Sequence, residues 1–138
     1  MNLTTPREVT PEILALCSEI DHTSRPVFVS VVPGAGVRHG YCLTDVPLFV
    51  SKNGGKVQFG WIIWECFKVA IEAEFHACWV NHQNEVVDIV PKPQNEKTVL
   101  FLPDTVRVYQ HRPIPNMRKL LVENDYTRRW LEIGRAHV

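Results

Sequence analysis

Three side chains have, in chain order, the types that an acyl-transferring thiol site requires: Cys42, His76 and Asp88. Cys42 closes the run Gly40-Tyr41-Cys42 at the entrance to a helical segment. A thiol at a helix N-terminus has its thiolate stabilised by the helix dipole and by N–H groups that lack carbonyl partners. His76 lies in the strand-like run Glu74-Phe75-His76-Ala77-Cys78-Trp79-Val80, and Asp88 in Val86-Val87-Asp88-Ile89. An imidazole in reach of a thiol takes its proton and later protonates the leaving group. A carboxylate on the ring's far side fixes the tautomer and stabilises the imidazolium.

The pairing of His76 with Asp88 depends on strand parity, because side chains alternate between faces. If Val80 pairs with Asn84 across a three-residue loop, His76 lies opposite Asp88 on one face. A four-residue loop pairs His76 with Ile89 and turns Asp88 away, unless a bulge restores the register. Asn81 is the reserve orienting group, since Cys-His-Asn works by the same logic.

Each residue also has an ordinary reading. Cys42 could be a small buried residue, His76 a hydrogen-bonded core histidine, and Asp88 the partner of a backbone amide or a cation. Trp61, Trp64 and Trp79 suit a core, yet Trp61 and Trp64 could wall a substrate cleft together with Tyr41, His39 and Glu74. Glu65, Glu72 and Glu74 read as solvated strand charges or partners of Arg38 and Lys68, with Glu74 set on the face of His76. His39, three residues before Cys42, is an alternative base. No C-x-x-C pair joins Cys17, Cys42, Cys66 and Cys78, and His22, His39, His82 and His111 lack ligand spacing. The chemistry therefore calls for no metal and no cofactor.

The elements that must position these groups follow from periodicity and breakers. Pro11 to Ile20 reads as a helix capped by Thr10, with Ile13, Leu14, Leu16 and Cys17 on one face. Arg25 to Val32 is strand-like and ends at Pro33-Gly34-Ala35-Gly36. A second helix, capped by Thr44 so that Pro47 falls in its first turn, runs to Lys52 and stops at Asn53-Gly54-Gly55. Cys42 then sits just before the helix. Strands follow at Lys56–Trp64, Val69–Val80, Glu85–Val90 and Thr98–Leu102, and helix is expected again from Pro115, with Leu120, Leu121, Trp130 and Leu131 packing. Arg128-Arg129 reads as a solvated helix face. This order predicts an α+β domain with N-terminal helices packed on an antiparallel β-sheet.

The chain has 138 residues, 45% of them hydrophobic, so 1–132 makes one domain with an ordinary core. Residues 133–138, Ile-Gly-Arg-Ala-His-Val, look like the translation of a sequencing adapter, which would make this a metagenomic gene cut short of its true C-terminus. Fifteen Lys+Arg balance fifteen Asp+Glu, which argues against general nucleic-acid binding. No apolar run approaches the roughly 20 residues that span a bilayer, and Met1–Glu8 has no signal core. A cytoplasmic location with reduced thiols is expected.

Gly-x-Cys before a helix, Gly54-Gly55, His-Ala-x-Trp-Val and Val-Asp-x-x-Pro together resemble the catalytic core of the transglutaminase-like, papain-like cysteine enzymes over Gly36 to Pro91. The resemblance implies a Cys42-His76-Asp88 triad with His and Asp on neighbouring strands. Two features depart from that pattern: Val90 stands where a Thr is usual, and Pro47 is awkward in the nucleophile helix. The segments Gly60–Glu65, Glu72–Ala77 and Leu100–Asp104 are also similar to uncharacterised bacterial and phage proteins, some labelled SEC-C or zinc-chelation proteins. The cysteine-rich tail that label describes has no counterpart here. The expected function is a cysteine hydrolase or acyltransferase acting on an amide, thioester or ester of a small molecule or peptide. The alternative is a phage-like, non-catalytic binding module that sequesters a host factor or small signalling molecule, its pocket lined by Arg38, His39 and the tryptophans. Oligomeric state is not legible.

Overall fold

The computed structural model describes residues 1–136 as an α+β arrangement of three helices and a six-stranded sheet. His137 and Val138 of the suspected adapter tail lie outside the described residues. Helix α1 (Pro11–Ile20) starts as its sequence dictates: Thr10 Oγ1 accepts the Ile13 N–H at 3.2 Å, and Pro11 sits where no N–H is needed. Its buried stripe is Ile13, Leu16, Cys17 and Ile20; Leu14 points outward instead.

The sheet runs β1 (Val27–Ser30), β5 (Thr98–Pro103), β2 (Lys56–Cys66), β3 (Ala70–Val80), β4 (Val86–Val87), with β6 (Met117–Leu120) also on β3. β2 and β3 form a long antiparallel hairpin from Lys56↔Val80 to Cys66↔Ala70. β5 lies antiparallel beside β2 and comes close at Gly60, where a Cβ would stand 2.2 Å from the Leu102 carbonyl oxygen. The sheet curls until its ends meet: Val31 and Asp88 form a parallel bridge, in which the Asp88 N–H donates to Ser30 O and the Val32 N–H to Asp88 O. Inside the curl lie Val29, Val31, Ile62, Cys78, Val99 and Phe101. On the alternate face α1 covers Trp61, Ile63, Ile71, Phe75, Leu100 and Leu102. There too, Val46 of α2 (Cys42–Asn53) packs with Ala77, Ile89 and Val90.

Two sequence expectations are corrected. No helix starts at Pro115. Met117–Leu120 pair antiparallel with Ala70–Ala73, because that half of β3 offers a free edge, and α3 begins only at Asp125. Leu120 is therefore a strand residue. The strand expected over Glu85–Val90 keeps only two ladder pairs with β3, because at Asp88 the chain leaves β3 to join β1. Between Ala73, the last partner of β6, and Trp79, a partner of β4, the outer edge of β3 over Glu74–Cys78 has no strand against it among the described residues. No helix there is long and apolar enough to cross a membrane.

Candidate active site

The unpaired stretch of β3 opens into a cleft of about 510 Å³, and the N-terminus of α2 stands at it. Its lining includes Cys42, Glu74, His76 and Lys92. Cys42 is the first residue of α2 rather than its forerunner, and the cap position is Tyr41, without a side-chain cap bond. The helix begins at Cys42 because the Thr44 and Asp45 N–H groups both reach the Tyr41 carbonyl, at 3.1 and 2.8 Å. Pro47 consequently lies one turn deeper than the Thr44 cap would put it, inside the helix. It leaves the Leu43 carbonyl without its usual donor.

The approach to Cys42 is clamped. Asp45, 6% exposed, accepts from the Arg38 backbone N–H, Nε and Nη2 at 2.9, 3.0 and 3.1 Å. The Arg38 guanidinium in turn lies 3.9 Å from the Tyr41 ring centroid. Hydrogen bonds from Arg38 hold the Asp45 carboxyl below the usual carboxylate range. Arg38 is thus not a partner of the glutamates, nor does it line the cleft.

His76 and Asp88 come together inside the curl. Asp88 Oδ1 lies 3.1 Å from His76 Nε2 and also accepts the Val90 N–H at 3.0 Å. The hairpin turn closes between Asn81 and Glu85, whose N–H···O bond is 2.9 Å, and Val80 pairs with Val86. Relative to the three-residue loop between Val80 and Asn84, the register has moved by two residues, so parity is kept. Cys78 falls at the level of Asp88, and His76 reaches the same carboxylate diagonally. Asn81 takes no part, since its Oδ1 accepts the Gln83 and Glu85 N–H groups of the turn.

An ionised Asp88 only accepts, so the hydrogen on Nε2 points to it and Nδ1 is left for a thiol. The His76 ring is buried, which works against its charge. Interactions that favour the protonated ring, with Asp88 and with the Cys42 and Cys78 sulfurs, together with the Asp88 charge, outweigh that and raise its pKa well above the ordinary value. Burial pushes Asp88 up, but His76 and Lys92 overcome it and hold the carboxyl low. For Cys78 burial dominates and raises the thiol, which stays protonated against the ring.

Lys92 was not foreseen from the sequence. Its side chain is 5% exposed and its Nζ lies 2.6 Å from Asp88 Oδ2, a buried ion pair. The available signal was its spacing, Asp88-x-x-x-Lys92 between Pro91 and Pro93 in an apolar stretch. Donor atoms of His76, Cys78 and Asp88 lie within 4.8 Å of one another, a set that suits a soft divalent ion. Against that reading, Asp88 already carries one cation on Oδ2 and two donors on Oδ1.

Of the residues expected to contact substrate, Tyr41, His39, Trp64 and Glu74 line the cleft. Trp61 does not. It is 1% exposed beneath α1, and its Nε1 donates to Asp104 Oδ2 at 2.9 Å. Its parity decides this, because Trp61 alternates with Trp64 across β2. Trp79 lies away from the cleft, its Nε1 bonded to the Gly54 carbonyl. Glu72 is paired with Arg118, which sits over Trp130. All four cysteines are unbridged. Comparison of the chain with protein-family models, with curated proteins and with solved structures yields no match in any of the three.

Proposed function

We propose that the protein is a cysteine-dependent hydrolase or acyltransferase for an amide, thioester or ester carbonyl, of the transglutaminase-like kind in its chemistry. One observation carries this reading: the His76 ring is fixed by Asp88 through Nε2, and Cys42, the first residue of a helix, lines the same open cleft as that ring. His76 Nδ1 takes the Cys42 proton ahead of the attack, as its raised proton affinity favours, and Sγ then bonds to the carbonyl carbon. The Cys42 N–H, at the first helical position and so without an intrahelical carbonyl, is directed to the developing oxyanion. The imidazolium returns its proton to the leaving group, giving an acyl-thioester. Water or an amine then attacks that thioester, with His76 as base, and frees the thiol.

Asp88 holds the ring and balances its charge, and Lys92 holds Asp88. A raised His76 pKa suits a ring that must keep a proton between the two transfers. The test is alkylation by iodoacetamide, followed at each cysteine by peptide mass spectrometry. Cys42 should react fastest, and His76→Gln should slow it at least tenfold without slowing Cys66. Equal rates at Cys42 and Cys66, indifferent to His76, would overturn the reading. A small ligand bound tightly by Cys42→Ala and never turned over by the wild type would favour a binding module instead.

A further inference from the structure

The cleft's charges are unevenly compensated. Glu72, Glu74 and His76 follow one another at two-residue steps on one face of β3, and Trp64 faces Glu72 across the hairpin. Of the carboxylates in the lining, Glu72 is neutralised by Arg118. Glu74 is exposed, with no ion-pair partner among the described residues. Glu96, also in the lining, lacks an ion pair among the described residues too, and its Oε2 is shut off from water with no hydrogen bond. Lys92, the lining's lone lysine or arginine, is committed to Asp88. The cleft therefore presents two uncompensated carboxylates and no uncompensated lysine or arginine. A dehydrated carboxylate oxygen without a donor is costly, and a ligand that donates to it removes that cost.

We propose that this site takes acyl substrates bearing an ammonium or guanidinium group, held by Glu74 and Glu96 with Trp64 as the apolar wall beside them. The inference rests on Cys42 being the nucleophile. Two residues of extended strand separate Glu74 from His76 by about 7 Å. A lysine side chain, six bonds from its carbonyl carbon to its ammonium, has a reach of that order. In the step itself Sγ bonds to the acyl carbon, and the bond to the leaving group breaks. The leaving group departs with the proton carried by His76, and water releases the acid and restores the thiol.

The probes are three thioesters with one leaving group, of Nα-acetyl-lysine, Nα-acetyl-norleucine and Nα-acetyl-glutamate. The lysine thioester should be cleaved with a kcat/KM at least tenfold above norleucine, and glutamate should be the poorest. Glu74→Gln with Glu96→Gln should collapse the lysine-to-norleucine ratio to within about threefold. Glu74→Lys, at an exposed position, should favour the glutamate thioester over the lysine one. Equal cleavage of all three by the wild type, with Cys42 acylated each time, would overturn the cationic preference and leave the nucleophile reading standing. No acylation of Cys42 by any of them would overturn both.

Discussion

Replacing Lys92 with methionine removes the ammonium 2.6 Å from Asp88 Oδ2 while keeping a side chain of similar length in a pocket that is 5% exposed. Asp88, fully buried, then keeps only the His76 ring and the Val90 N–H, both on Oδ1. Removing one partner of a buried ion pair costs about 3–5 kcal/mol, and the surviving contacts put this case at the lower end, about 3 kcal/mol. With a urea dependence of about 1.5 kcal/mol per molar, the unfolding midpoint falls by about 2 M. Asp88→Asn should cost more, since it leaves the Lys92 ammonium buried without its anion. The double variant should recover part of the loss. The same change strips a positive charge from the far side of Asp88, so the His76 pKa rises further and its NMR titration moves to higher pH. A midpoint shift under about 0.5 M would mean that the ammonium is solvated and contributes little, as for an exposed pair. A His76 titration that did not move would remove Lys92 from any role in setting the ring's charge.

Further predictions concern pH, the thiols and the contact of β5 with β2 at Gly60. Because His76 is raised, its contribution to stability is complete below its unfolded value of about 6.5 and fades as pH rises through the folded value. Asp88 is depressed, so its contribution holds above about 3.9 and fades as pH falls through its folded value. Chemical denaturation across pH should therefore show an alkaline loss that His76→Gln flattens, and parallel curves would contradict the assignment. Cys17, pushed up to about 11 by burial, and Cys78 should resist iodoacetamide at pH 8 in the folded protein, while Cys66 reacts. Rapid labelling of Cys78 would mean that the curl opens. Gly60→Ala forces a Cβ toward the Leu102 carbonyl and the Phe101 ring, and should cost at least about 2 kcal/mol by urea denaturation. A neutral result would show that β5 does not approach Gly60 so closely.

What the sequence disclosed is what local chemistry controls. Thr10-Pro11 sets the start of α1, Gly54 ends α2, and the β-branched and aromatic runs give β2, β3 and β5. The chain order of Cys42, His76 and Asp88 was readable because each lies in a short motif. Other features depend on partners distant in sequence. Met117–Leu120 has a composition that suits helix, and only the free edge of β3 makes it a strand. The register that joins His76 to Asp88 was left open by parity and is set by where the Asn81 side chain organises the turn. Lys92 resembles any surface lysine until Asp88 is known to be buried beside it. Trp61 and Trp64 are alike in the sequence, and the covering by α1 is what sends one to the core and leaves the other in the cleft.

The most direct measurement is the intact mass of the protein, acid-quenched within seconds of mixing with a simple acyl thioester, followed by peptide mapping. A covalent acyl group on Cys42 that forms in the wild type, decays as acid or amide product appears, and is absent from His76→Gln is the expected result. Turnover that persists in Cys42→Ala, or an acyl group that settles on Cys66 as readily as on Cys42, would contradict the account.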